Sequence, residues 1–301
     1  MQKFRSKAFN SAFSLVEISV VILIIGILVA GIYQASDLIS SARLSSAKSL
    51  TNTAIINRIP NLVFWVETTE DSNLKSSLVT NINSAPFGQI ANNARISTWR
   101  DRNPQNLNKI STFASSDNRR PTYITNGINS LPALYFDASL TQTLYSPTMP
   151  LQASDADYTL IAVFERDPCS GYCYVVAQTS GATGSMAAIS ANAGGTFGFV
   201  TINNDLSSGI TIRNKRQYIG IITVGESNVA FYLNSKVPVI RTKQAGLNLG
   251  SGSFSIASRS NGLNNFWGLI SEIIIFDRDL KDSEVQDAIS YLAKKYSIKI
   301  D

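Results

Sequence analysis

The stretch NSAFSLVEISVVILIIGILVAGIYQ, residues 10–34, decides how the chain is divided. From Phe13 to Tyr33 it offers about twenty apolar residues, the length a helix needs to cross the hydrocarbon core of a bilayer, and one acid, Glu17, interrupts it. Lys3, Arg5 and Lys7 stand ahead of the run, a bias that holds the N-terminus on the cytoplasmic side. A secretory signal peptide shares the basic start, but its apolar region covers roughly 7–15 residues before a small-x-small cleavage site. This run is longer. A plain membrane anchor accounts for the length, and neither reading accounts for Glu17. A carboxylate in hydrocarbon costs free energy unless a partner neutralises it.

The chain has 301 residues, 44% of them hydrophobic and 16% charged, long enough for a packed core of one large domain or two ordinary ones. Its net charge of +5 falls to +2 once the three leading cations are removed. No basic stripe interleaved with aromatics is present, so nucleic acid is not an expected partner. There is no histidine, which removes the most common general base and metal ligand and every Ser/His or Cys/His nucleophile arrangement. The two cysteines, Cys169 and Cys173 in DPCSGYCYVV, fit neither a four-ligand zinc site nor a CxxC redox pair. Outside the cytoplasm they are expected to form a local disulfide across a turn; two reduced thiols in a loop are the alternative.

The segment A-FSLVEISVVILIIGILVAG resembles the N-terminus of type IV prepilins and the related type II secretion pseudopilins. The resemblance implies that a basic leader, residues 1–12, is cut between Ala12 and Phe13 by a prepilin peptidase that also methylates the new Phe13 amine. Glu17 then becomes the fifth residue of the mature chain, and Gly26 matches the family's helix-interior glycine. By the same resemblance, Glu17 pairs with the Phe13 amine of a neighbouring subunit as the chain enters a filament. Two positions depart from the pattern. Ala12 stands where the family mostly has Gly, and Gln34 replaces a frequent helix-kinking proline.

No Gly or Pro occurs between Gly31 and Pro60. Leu38, Ile39, Ala42, Leu44, Ala47 and Leu50 give apolar periodicity among serines and threonines. One helix is expected from about Ser14 to Asn57, within a segment 13–58 that spans the membrane over about 13–33. Its second half is expected to pack partly on the globular part of the chain. From Asn61 the pattern changes to short apolar or alternating runs separated by Gly/Ser/Asn clusters: NLVFWVE, YTLIAVFE, YCYVVAQ, TFGFVTI, QYIGIITVG, NVAFYLN, SFSIAS and LISEIIIFD. Such spacing predicts an antiparallel sandwich or barrel. KDSEVQDAISYLAKKYSI predicts a closing helix capped by Asp282 or Ser283, with Val285, Ile289 and Leu292 on its apolar face.

Residues 61–301 resemble the concanavalin A-like, laminin G-type jelly-roll sandwich. The blocks that carry this are LVFWVE with ISTWRDRN, RPTYITNGINSLPALYFDAS, VAFYLNSK, and above all WGLISEIIIFDRDLKDSEVQDAISYLAKKY. The expected fold class is therefore α+β: a long transmembrane pilin helix, then an all-β sandwich in one domain with a short C-terminal helix.

Some sandwiches of this kind are glycoside hydrolases, which need two carboxylates facing one another and carry them in an E-x-D-x-x-E run on one strand. No such run is present; Glu272 and Asp277 lie on opposite faces of a strand. Catalysis is not expected. Laminin G-type domains sometimes hold Ca²⁺, and Asp101, Asp137 and Asp205 are oxygen donors in predicted loops; a solvated or turn-capping role is the simpler reading of each. Trp65, Trp99 and Trp267 lie in apolar blocks and are expected in the core. The glycines of NAGGTFG and NLGSGSFS read as turns, because no helix start comes after them.

Together these readings point to a bacterial inner-membrane protein with a periplasmic globular domain, reaching the cell surface if it is assembled. It is expected to be a minor or tip-located pilin subunit displaying a sandwich for adhesion, with other subunits and a glycan or surface protein as partners. A type II secretion pseudopilin contacting cargo is the alternative, and a membrane-tethered glycan hydrolase a third reading.

Overall fold

The computed structural model describes residues 14–76, 87–152, 157–181, 185–192, 194–199, 205–243, 249, 252–260 and 262–301. The first helix, α1, runs Leu15–Asn52. By contacts the chain divides into Met1–Arg43 and Leu44–Asp301, so the last two turns of α1 belong to the second unit, where Ala47 and Thr51 are buried. The helix stops short of Asn57. The Asn57 amide instead donates to the Thr51 and Asn52 carbonyls, satisfying acceptors that a helix C-terminus leaves open, and a 3₁₀ turn covers Ile55–Arg58.

Two antiparallel sheets make up the second unit. Among the described residues the first sheet has the order β15 (Val239–Thr242), β14 (Asn228–Leu233), β13 (Gln217–Val224), β8 (Tyr158–Arg166), β17 (Gly268–Phe276), β6 (Leu131–Phe136) and β5 (Thr122–Ile128), with β1 (Leu62–Glu67) paired to β17. The second has the order β12 (Leu206–Thr211), β11 (Thr196–Phe199), β10 (Met186–Ala191), β9 (Tyr174–Thr179), β16 (Ser253–Ile256), β7 (Leu144–Ser146), β4 (Ser111–Phe113), β3 (Thr98–Arg100) and β2 (Leu74–Lys75). All eight apolar runs of the sequence contribute to strands. The closing helix, α2, covers Asp282–Tyr296. Its N-cap is Lys281 rather than Asp282 or Ser283. The reason is Glu284, which accepts the Lys281 N–H at 2.9 Å while Arg278 grips the same carboxylate.

Alternation along the strands builds two cores, one on each face of the first sheet. Phe64, Val66, Phe164, Ile273 and Ile275 fill the space between the sheets. Trp65, Ile161, Ile274 and Phe276 face outward under α2, with Val285, Ile289 and Leu292. A one-residue slip would reverse these assignments, and β17 contains such a slip. Its register with β8 shifts between Ile270 and Glu272. Under unbroken alternation from Ile270, Glu272 would point between the sheets. The bulge turns it to the α2 side instead, as bulges re-aim side chains elsewhere.

Candidate functional site

In the N-terminal unit, Leu15–Ile32 has a mean hydropathy of 2.9 and none of it is buried, so it is apolar enough to cross a membrane or to serve as a signal sequence. Glu17 is its only charged residue. The carboxylate accepts the Ser14 N–H at 2.8 Å, a first-turn position where the helix dipole favours an anion. Ala12 and Phe13, with the leader, lie outside the described residues, as does the side chain of Gln34.

The sandwich unit brings together two acids that the sequence separates widely. Glu67 on β1 stands directly across from Glu272 on β17. Both are buried, and Lys295 from α2 lies between them, 3.1 Å from Glu67 and 2.7 Å from Glu272. Glu272 also accepts Trp65 Nε1–H at 2.8 Å, the Tyr291 hydroxyl at 2.9 Å and the Tyr296 hydroxyl at 2.8 Å. Glu67 accepts from the Thr69 backbone and hydroxyl and from the Glu70 N–H. Burial pushes Glu67 up, but Lys295, Thr69 and Arg102 outweigh it and hold the carboxyl below its ordinary range. Burial, then the Glu272 charge, raises both tyrosine hydroxyls well above theirs. Lys295 is the least obvious member; a signal for it exists, since it comes after Ala288 and Leu292 at helical spacing on the apolar face of α2.

A cleft opens where three loops meet at one end of the sandwich. It has a volume of about 530 Å³ and is lined by Ala138 and Ser139 after β6, Pro168, Cys169 and Ser170 after β8, and Asn264, Asn265 and Trp267 before β17. Each wall is held by a local device. Asp137 accepts the Ser139 N–H and hydroxyl at 2.8 and 2.6 Å. Cys169 and Cys173 are joined in a disulfide. Trp267 is fixed at both ends: its carbonyl accepts the Asp167 N–H, and its indole N–H donates to the Tyr135 hydroxyl at 2.6 Å. Tyr135 in turn donates to Asp167, which pairs with Lys215.

Trp65 and Trp99 are fully buried, but the expectation that Trp267 is a core residue is corrected: it is half-buried and lines the cleft. It precedes β17, and the strand begins only at Gly268, whose φ of +141° and contact with Glu165 leave no room for a Cβ. The three aspartates are each engaged locally. Asp101 Oδ1 accepts the Trp65 and Asn103 N–H groups at 2.9 and 2.8 Å; burial pushes its pKa up to about 6, against the pull of those same donors. Asp137 caps the 138–140 turn. Asp205 accepts the Tyr172 hydroxyl at 2.6 Å. Among the described residues no three His, Cys, Asp or Glu side chains form a group able to hold a metal ion.

No family model and no curated protein matches the sequence. Among solved structures, the chain is similar to a GH54 α-L-arabinofuranosidase soaked with a cyclic sulfate inhibitor, with a TM-score of 0.56 and 14% identity over 78% of this chain and 63% of that one. It is similar to an arabinofuranosidase complexed with arabinofuranosyl-α-1,2-xylobiose, at 0.54 and 13% over 78% and 59%. The binding domain of Paraclostridial Mosquitocidal Protein 1 gives 0.52 and 13% over 78% and 53%. The chain thus spans 53–63% of the length of these structures. At such identity the likeness is one of fold, which hosts many functions. One expectation is overturned. Arabinofuranosidases contain this sandwich, so the missing E-x-D-x-x-E run does not exclude an enzyme. The physical flaw in that exclusion is visible in the chain itself, where the facing pair Glu67 and Glu272 comes from strands 205 positions apart.

Proposed function

We propose that the chain is a type IV pilin-like subunit, anchored by its N-terminal helix, that displays a concanavalin A-like, laminin G-type sandwich for recognition at the cell surface. The observation that carries this reading is Glu17, the one charge in an exposed apolar span of 18 residues. Among the described residues it accepts a single backbone N–H, which does not neutralise a carboxylate in a low dielectric. Cleavage before Phe13 creates a positive amine four residues away, and the amine of a neighbouring subunit supplies the missing charge. Unpaired in the bilayer and paired in the filament, Glu17 favours assembly. The disulfide supports export of the sandwich, because such bonds persist in oxidising compartments. The size of the sandwich favours a minor or tip position, where a bulky domain does not obstruct its neighbours.

Mass spectrometry of filaments sheared from the cell surface tests the proposal. A chain beginning at N-methylated Phe13 in that fraction is the expected result. Processed chain confined to the envelope would point to a secretion pseudopilin, and only unprocessed chain from Met1 would overturn both.

A further inference from the structure

We infer that the cleft beneath Trp267 binds the rings of a neutral saccharide, an assignment that rests on the recognition role proposed for the sandwich. The volume of about 530 Å³ falls within the range of small-ligand sites. The lining residues are alanine, serine, proline, cystine, asparagine and tryptophan, with no charged side chain among them. An anionic ligand would find no cation there, and a cationic ligand no carboxylate. Of the charges nearby, Asp167 and Lys215 are paired with one another.

What the cleft does offer matches the two sides of a sugar ring. Trp267 has committed its only polar atom to Tyr135, so its contribution is apolar ring surface, suited to the C–H face of a pyranose or furanose. Asn265 is the polar complement. Its Nδ2 donates to the Gly262 carbonyl at 3.1 Å, which fixes the amide, while its Oδ1 is buried and accepts no hydrogen bond among the described residues. Buried acceptors in folded proteins are nearly always satisfied. A sugar hydroxyl is a donor of the right size and charge. Ser170 and the exposed Asn264 add groups that both donate and accept, and Ser139, whose proton goes to Asp137, adds an acceptor. The disulfide and the Asp137 cap hold two of the loops in place before any ligand arrives, and that pre-organisation reduces the ordering that binding requires.

The test is calorimetric titration of the full chain in detergent micelles. The probes are xylohexaose, arabinotriose, cellohexaose and mannohexaose, with sialyllactose and oligogalacturonate as anionic counterparts. Tryptophan fluorescence provides a second readout. At least one neutral oligosaccharide is expected to bind, and the anionic probes are not. Trp267→Ala should weaken binding at least about ten-fold, as loss of an aromatic anchor does, and Asn265→Ala by about five-fold or more. Asn265→Ala is expected to melt with the wild type, which keeps the result interpretable if Trp267→Ala unfolds. Binding that neither variant changes, binding of the anionic probes alone, or no binding across the panel overturns the assignment. The filament reading is tested separately by the N-terminus of the sheared chain, so either can fail without the other.

Discussion

Glu17 stands in the first turn of an exposed apolar helix with one backbone N–H as its partner. Glu67 and Glu272 stand beneath α2, fully buried, with a lysine between them and hydroxyl, indole and backbone donors around them. Among the described residues, only the second of these regions contains its own counter-charge. The buried acids of the sandwich find their counter-charge within one chain. Glu17 has no such neighbour among the described residues, and under the function proposed above the amine of a second subunit supplies the missing charge.

The largest effect is expected at Glu17. Glu17→Val should leave membrane insertion and the melting of the sandwich unchanged and abolish recovery in sheared filaments, which fractionation and immunoblotting would read. In the sandwich, Lys295→Met leaves two buried carboxylates without the cation that bonds them both. A loss of about 3–5 kcal/mol in chemical denaturation is expected, the cost of breaking a buried ion pair from one side. Equal stability of this variant and the wild type would remove the contrast between the two regions altogether.

Asp101 is an intermediate case, because it is buried with N–H donors and forms no ion pair among the described residues. Its folded pKa of about 6 lies above the ordinary value of 3.8. Between pH 4 and 6 the folded chain therefore keeps a proton that the unfolded chain has released, and stability falls as pH rises through that window. Glu67 has the opposite sign: its carboxyl is held low, and its contribution is lost as pH falls. Asp101→Asn should remove a pH-dependent difference of up to about 3 kcal/mol, at 1.36 kcal/mol per pH unit, seen in denaturation curves of the two chains across pH 4 to 7. The smallest effect is expected from Tyr296→Phe, which deletes one hydroxyl donor to Glu272. About 1.5 kcal/mol is the range for a hydrogen bond to a charged group, and the same denaturation series reads it.

The strands are legible in the sequence because each carries its own apolar run and turn residues, as NLVFWVE and QYIGIITVG do. Glu17 is legible for the same reason: it is anomalous against its immediate neighbours. The Glu67–Glu272–Lys295 cluster is not, because it depends on β1 pairing with the far end of the chain and on the bulge at Ser271 that turns Glu272 toward α2. No local spacing encodes that register. Trp267 misleads for a similar reason. NNFWGLISE reads as one apolar block, whereas the chain turns at Gly268 and leaves the indole in a loop cleft while Phe266 goes to the core.

Whether a neighbouring amine neutralises Glu17 is best decided by zero-length carbodiimide coupling of sheared filaments. The Phe13 amine and Glu17 lie on one tryptic peptide, so the product identifies the partner by mass. Two copies of the peptide, joined from the Phe13 amine of one to the Glu17 carboxyl of the other, are the expected product. A single peptide closed on itself, or Glu17 left uncoupled in assembled filaments, would show that the helix does not obtain its counter-charge from the next subunit.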